Sequence, residues 1–166
     1  MNAEIVIVTR RMAFLATMLF LSTTPVLSKA QDSGPVSREY LTMDWTEERA
    51  FSPAVVTQGG KTVWLAGVTA PLDADGNSLA GDFGAQTHEI FRVIEERLAT
   101  VGGTLADIVT MTVYIGDTRY GDPFVDIRAT KFEPGRYPSS ALITVVGFAR
   151  PGILLEVKAT AVIGGD

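Results

Sequence analysis

The stretch that decides the fold is GDFGAQTHEIFRVIEERLATVGGTLADIVTMTVYI, residues 81–115. Its first part places apolar side chains at helical spacing, which predicts an amphipathic helix over residues 82–101. That apolar stripe consists of Phe83, Thr87, Ile90, Ile94, Leu98 and Val101. Gly102 and Gly103 end the helix, and residues 108–115 then alternate and are rich in β-branched side chains. The stretch therefore predicts a helix followed by a strand.

The segments on either side of this unit complete an α+β pattern. Two short strands are predicted at 55–57 and 62–67, joined by a hairpin turn at Gln58-Gly59-Gly60-Lys61. A second helix is predicted over 120–132, and two more strands between 137 and 162. The order β-β-α-β-α-β-β favours one sheet with both helices on the same face. The other face would then be apolar and uncovered, so we expect an oligomer.

The first 30 residues differ from the rest of the chain. Arg10 and Arg11 precede an apolar run of about ten residues, far short of the roughly twenty that span a bilayer. Small residues follow, and Ser28-Lys29-Ala30 resembles a signal cleavage site. We interpret residues 1–30 as a secretory signal peptide, with an N-terminal anchor helix as the alternative. The mature protein would be periplasmic or secreted, without stable membrane insertion.

The rest of the chain divides into a short leader and one domain. Residues 31–50 begin with a polar stretch containing Gly34 and Pro35, and we expect a flexible leader there. Residues 51–166 form the predicted domain. The segment after Ala30, which includes the leader, is long enough to bury a sizeable core.

Composition excludes several classes of site. The 166 residues include one histidine and no cysteine, which rules out disulfides and thiolate metal sites and disfavours a transition-metal site. The chain carries 14 basic and 19 acidic residues. Removing residues 1–30 leaves 11 basic and 18 acidic groups, a net charge of about −7. Proteins that bind nucleic acid usually have a basic surface, so we do not expect such a partner.

Glu156 is a carboxylate within an otherwise apolar last strand. Side chains alternate along a strand, so Ile153, Leu155, Val157, Ala159, Ala161 and Ile163 should pack under the helices. Glu156 and Lys158 would lie on the opposite face. If the last two strands form a hairpin, Ser140 and Thr144 can lie beside Glu156. The spacing leaves two readings open: a structural Glu156–Lys158 ion pair, or a carboxylate used for chemistry.

The sequence resembles the Rid family, the YjgF-like reactive-intermediate deaminases. The resemblance rests on FSPAVVTQGGKTVWLAG (51–67), PLDADGN (71–77), residues 81–115, and FARPGILLEVKATAV (148–162), in that order and spacing. It implies a chorismate-mutase-like α+β fold. Three subunits would pack their sheets into a central barrel, with ligand clefts between them. It also implies hydrolysis of imines and enamines without a metal or organic cofactor.

The resemblance implies roles for particular residues. Glu156 would direct the water, and a backbone amide near Gly67 would bind substrate, with Ala66 in place of the family's preceding serine. The arginine that clamps the substrate carboxylate is replaced by Ser140, because the family's Pro-x-Arg segment reads Pro-Ser-Ser at 138–140. Thr144 adds a hydroxyl on the same strand face as Ser140. The chain thus resembles the subgroups that lack the clamp arginine.

Two functions remain open from the sequence. The first is an exported homotrimeric hydrolase of imines or enamines, with an altered substrate range because Ser140 replaces the clamp. The second is a non-catalytic trimer that binds a small molecule or a protein through the same clefts. A ribonuclease activity is disfavoured by the acidic charge.

Overall fold

The computed structural model describes residues 35–164, which belong to one compact unit, Asp32–Asp166. The predicted signal peptide, residues 1–30, lies outside the described residues. The strands are β1 Ser37–Tyr40, β2 Val55–Gln58, β3 Lys61–Trp64, β4 Ile108–Ile115, β5 Ser139–Thr144 and β6 Leu155–Ile163. The helices are α1 Asp44–Glu48, α2 Phe83–Ala99 and α3 Gly121–Ala129. None of the helices between 35 and 164 has the length and hydropathy needed to cross a bilayer.

The helix and strand predicted from residues 81–115 are confirmed. Asp82 caps α2, because its side chain accepts a hydrogen bond from the backbone N–H of Ala85 at 2.9 Å. The buried face of α2 includes Ile90, Ile94 and Leu98, each fully buried. The chain then turns at glycines and enters β4. The helical stripe therefore forms the centre of the hydrophobic core.

Four strands form the main sheet in the order β3-β6-β4-β5. β6 runs antiparallel to both β3 and β4, whereas β5 runs parallel to β4. The hairpin considered for the last two strands is wrong, since β4 lies between β5 and β6. The physical reason is the β4-α3-β5 crossover, which places β5 parallel to β4 on its free edge. Residues 145–154 then carry the chain back across β4 to begin β6.

The prediction of a flexible leader over 31–50 is wrong for residues 37–48, which contain β1 and α1. β1 pairs antiparallel with β2 from Ser37↔Gln58 to Tyr40↔Val55. The side chain of Arg38 reaches the body of the protein, donating to Asp107 Oδ1 at 2.6 Å and to the carbonyl of Val162. These contacts order the segment. Because β2 pairs with β1 whereas β3 pairs with β6, the predicted β2–β3 hairpin does not form.

The two faces of the main sheet have different environments. The apolar face predicted for the last strand is confirmed, and its residues from Ile153 to Ile163 are at most 9% exposed. The opposite face is open within residues 35–164. Trp64 is 78% exposed and Ile143 is 43% exposed there, but Lys158 and several threonines lie among them. The open face is therefore less uniformly apolar than predicted.

Candidate functional site

Glu156 and Gly67 lie in contact. The segment after β3 continues along β6, with hydrogen bonds in both directions between Val68 and Val157 at 2.9 and 3.0 Å. This pairing brings Gly67 beside Glu156, which extends over the glycine. A Cβ added at Gly67 would lie 1.8 Å from Glu156 Oε1. Only a residue without a side chain allows the carboxylate to occupy this position.

The backbone beside Glu156 offers free donors. Leu65 N–H bonds to the carbonyl of Ala159 at 3.1 Å, and Val68 N–H bonds to Val157. Between them, the N–H groups of Ala66 and Gly67 find no hydrogen-bond acceptor among residues 35–164. Both residues are exposed. The carboxylate of Glu156 and these two amides therefore supply an acceptor and donors at one place.

Glu156 lines a cavity of about 330 Å³ on the open face. Tyr114 is its cross-strand neighbour on β4, and Val145, Gly147 and Phe148 from the returning loop form the apolar side. This volume suits a small organic molecule. Tyr114 and Phe148 were not identified from the sequence. Tyr114 could have been found only once β4 was known to pair with β6.

The structural ion pair considered for Glu156 is not formed. Lys158 lies on the same face and lines the same cavity, but no ion pair or hydrogen bond joins Glu156 to any residue of the described range 35–164. Glu156 is partly buried, whereas Lys158 is exposed. The carboxylate is thus available to a ligand or to water.

Ser140 and Thr144 do not lie with Glu156 in one chain. Ser140 pairs with Met111, and Met111 with Ala159, so all three belong to the face under the helices. Thr144 is on that same face, although it is exposed. The predicted proximity to Glu156 is wrong because the intervening strand β4 fixes the register. Of the predicted site residues, one chain joins only Glu156, Gly67 and Ala66.

The hydroxyl of Ser140 serves a buried arginine. Arg128 on α3 is 2% exposed and donates to Ser140 Oγ at 2.6 Å and to the carbonyl of Arg49 at 2.7 Å. Burial, together with the nearby Arg49 guanidinium, lowers the pKa of Arg128 to about 10. Arg128 lies above the ring of Phe124, with Cζ 5.3 Å from its centroid. Ser140 therefore fixes α3 to β5.

A buried glutamine anchors the loop, residues 145–154, that forms one wall of the Glu156 cavity. Gln86 on α2 is fully buried, and its Nε2 donates to the carbonyls of Leu79 at 2.9 Å and Gly152 at 2.7 Å. Its Oε1 accepts from the N–H of Leu154 at 2.9 Å. These bonds tie the end of loop 145–154 to the helix. The fixed loop in turn positions Phe148.

Arg150 lines a neighbouring cavity. That cavity, of about 490 Å³, shares Gly147 and Phe148 with the Glu156 cavity. Arg150 is not among the residues that line the Glu156 cavity. Within residues 35–164, no group of three His, Asp or Glu side chains is placed to hold a metal ion.

The fold is shared with proteins of known structure. The family model described as Endoribonuclease L-PSP matches residues 45–163, most of the chain. The chain belongs to the Rid (YjgF) family. A Rid family protein of unknown function from Yersinia pestis is 26% identical with a TM-score of 0.68, covering 76% of this chain and 98% of its own. A YjgF family member from Mycobacterium tuberculosis is 29% identical with a TM-score of 0.54, covering 76% of this chain and all of its own.

Membership explains the α+β fold of this Rid protein. A second Yersinia pestis protein of the family, 21% identical with a TM-score of 0.57, has the same fold over 76% of this chain. The match begins at residue 45, within α1. Thus the ordered α1 is part of the family domain rather than of a leader.

Proposed function

We propose that this Rid protein is an exported hydrolase of imines or enamines, acting as a homotrimer. The observation that carries the proposal is the placement of Glu156: its carboxylate lies against Gly67, free of intramolecular partners in the described range, at the wall of a 330 Å³ cavity. Catalysis by proton transfer requires such a group within hydrogen-bond reach of water.

The proposed reaction needs only water and a proton carrier. Glu156 accepts a proton from water while the water oxygen attacks the imine carbon, giving a carbinolamine. The same carboxyl group returns that proton to the nitrogen, which completes the neutral carbinolamine, and then relays the hydroxyl proton of the carbinolamine to the nitrogen as the C–N bond breaks. The products are a carbonyl compound and ammonia, and the atoms balance without a cofactor. The free N–H groups of Ala66 and Gly67 would orient the substrate.

The expected substrate range follows from the inability of Ser140 to bind a substrate carboxylate as the family's clamp arginine does. Its hydroxyl carries no charge and is already bound by Arg128. In one chain it lies on the opposite sheet face from Glu156, so only a neighbouring subunit could bring it to the same cleft. The cation that shares the face of Glu156 is Lys158, whose single ammonium group does not form the bidentate pair that an arginine forms with a carboxylate. We therefore expect neutral or bulkier imines to be preferred over small imino acids that need a bidentate arginine.

The experiment measures ammonia release by the purified protein from imines generated enzymatically. Glu156→Gln should lower the rate at least tenfold, because the amide cannot accept the proton. Glu95→Gln, an exposed residue of α2, is the matched control and should leave the rate unchanged. Equal rates in the protein and its Glu156→Gln variant would remove the role given to Glu156. Absence of ammonia release from every imine tested would reject the hydrolase.

The second candidate is a non-catalytic binding module using the same cleft. The observation that favours it is Lys158, whose positive charge on the same open face would attract an anionic ligand. Such a module would bind imine analogues with similar affinity before and after Glu156→Gln and release no ammonia. A nuclease, which the family description names, is disfavoured by the net charge of −5.

A further inference from the structure

A further cavity shares no lining residue with either the Glu156 cavity or the neighbouring Arg150 cavity. It has a volume of about 470 Å³ and is bounded by β1, the α2–β4 connection, the α3–β5 connection and the end of β6. We call it the Arg38 cavity. Its size is in the range of small-molecule sites.

The cavity carries one more positive than negative group. Its basic residues are Arg38, Lys131 and Arg136, and its acidic residues are Asp107 and Glu133. Asp107 is fully engaged, since it accepts from Arg38 at 2.6 Å and from the N–H of Thr104 at 2.7 Å. The pairing therefore leaves a single net positive charge for a ligand.

Lys131 supplies that charge. It forms no ion pair with any residue between 35 and 164, and its Nζ lies 6.0 Å from the ring centroid of Phe91. Arg136 is only loosely paired, with Nη1 3.4 Å from Glu133 Oε2 and both side chains about 70% exposed. Exposed pairs of this kind contribute little energy, so Arg136 can exchange its partner for a ligand.

Two further polar groups are unused. Arg38 Nε is buried and has no hydrogen-bond partner among the described residues, which is costly unless a ligand or water compensates. The hydroxyl of Tyr40 likewise makes no hydrogen bond within residues 35–164. Burial raises the pKa of Tyr40, while Arg38 and Arg136 oppose the rise. The phenol is therefore a donor at neutral pH, close to both guanidiniums.

The remaining wall is apolar. Val36, Phe132 and Ile163 line the cavity, and Phe132 and Ile163 are each 9% exposed. An inorganic anion would leave these side chains without a partner. A carboxylate attached to an apolar body would satisfy both parts of the cavity.

We propose that the Arg38 cavity binds a small organic monoanion, with its carboxylate at Lys131, Tyr40 and Arg136 and its apolar body against Phe132. This site is separate from the proposed hydrolase cavity and does not depend on that activity. The one net positive charge sets the ligand charge at −1. The apolar wall distinguishes the ligand from free phosphate.

Calorimetric titration of the full chain with benzoate tests the site, with benzamide as its neutral counterpart and inorganic phosphate as the anion without an apolar body. Benzoate should bind at least tenfold more tightly than either, because a charged hydrogen bond contributes about that factor. Lys131→Gln should weaken benzoate binding about tenfold. Arg97→Gln, at an exposed position of α2 that lines neither cavity, is the matched control and should leave it unchanged.

The proposal would be overturned by no benzoate binding, by equal binding of benzamide, or by a loss in Arg97→Gln as large as in Lys131→Gln. Preferential binding of phosphate would also reject it. Arg136→Gln provides a second variant in which the substituted side chain is 69% exposed, so folding is preserved. It should weaken benzoate binding severalfold.

Discussion

The carboxylate of Glu156 occupies the space that a side chain at position 67 would need, with 1.8 Å between Oε1 and an added Cβ at Gly67. Gly67 is not in a left-handed backbone conformation. The glycine is therefore required by the close approach of the carboxylate and not by the backbone. A substitution at position 67 can therefore displace the carboxylate of Glu156 while leaving residue 156 a glutamate.

Gly67→Ala should displace the Glu156 carboxylate. The atom that must move is the end of a flexible side chain, so the loss of unfolding free energy should stay near the lower end of the roughly 1–3 kcal/mol seen on overpacking. Ammonia release should fall at least tenfold, because the proton acceptor leaves its position. In a Glu156→Ala background, Gly67→Ala should have no further effect on stability. An undiminished effect there would mean that the two residues are not coupled.

Gly84→Ala is the matched control for that substitution. Gly84 lies in the first turn of α2, where an added Cβ would meet only Asp82 Oδ1 at 3.7 Å. Alanine there should stabilise the protein by about 0.4–1 kcal/mol through the lower entropy of the unfolded chain. Urea unfolding of the two variants compares them directly.

Ser140→Ala should destabilise the fold rather than change a ligand contact. The substitution leaves Arg128 Nη1, which is buried, without its acceptor, at a cost of about 1–3 kcal/mol. Ser139→Ala, one residue away on the opposite face, should change the unfolding free energy by less than about 0.5 kcal/mol. Ser140→Arg should be worse than Ser140→Ala, because it adds a second guanidinium beside Arg128. A stable Ser140→Arg protein would contradict this account.

Tyr40 should ionise above its ordinary pKa of 10. Burial is the main cause, since it disfavours the phenolate. The folded state therefore holds this proton to a higher pH than the unfolded state does. The resulting contribution to stability is fully present below pH 10 and is lost as pH rises through the folded pKa. The difference in absorbance at 295 nm between the protein and its Tyr40→Phe variant should show a step centred above pH 10; a step at or below 10 would be inconsistent with burial.

A substitution at Trp64 tests the proposed trimer. Trp64 is 78% exposed on the open sheet face, where packing of three sheets would bury it. Trp64→Lys should convert a trimer to a folded monomer, measured as mass by light scattering and as unchanged far-ultraviolet circular dichroism. Trp45→Lys, exposed on α1, should keep the trimer mass. A wild-type protein of monomer mass would refute the trimer itself.

Local patterns in the sequence predicted α2, β4 and the buried face of β6, since each follows from side-chain periodicity within one segment. The Asp82 cap and the glycines after α2 limit that helix by local chemistry alone. The family resemblance added Glu156 and Gly67, and their contact is the part of the candidate site that one chain forms.

The tertiary structure decided what depends on strand order. Periodicity places a side chain on one of two faces but does not say which strand lies next to it. The β4-α3-β5 crossover placed β4 between β5 and β6, and so separated Ser140 from Glu156. The partner of Ser140, Arg128, is 12 residues earlier on a helix, and β1 is ordered by Asp107, 69 residues after Arg38. Such contacts between distant residues exist only after the chain has folded, which is why sequence patterns of short range could not reveal them.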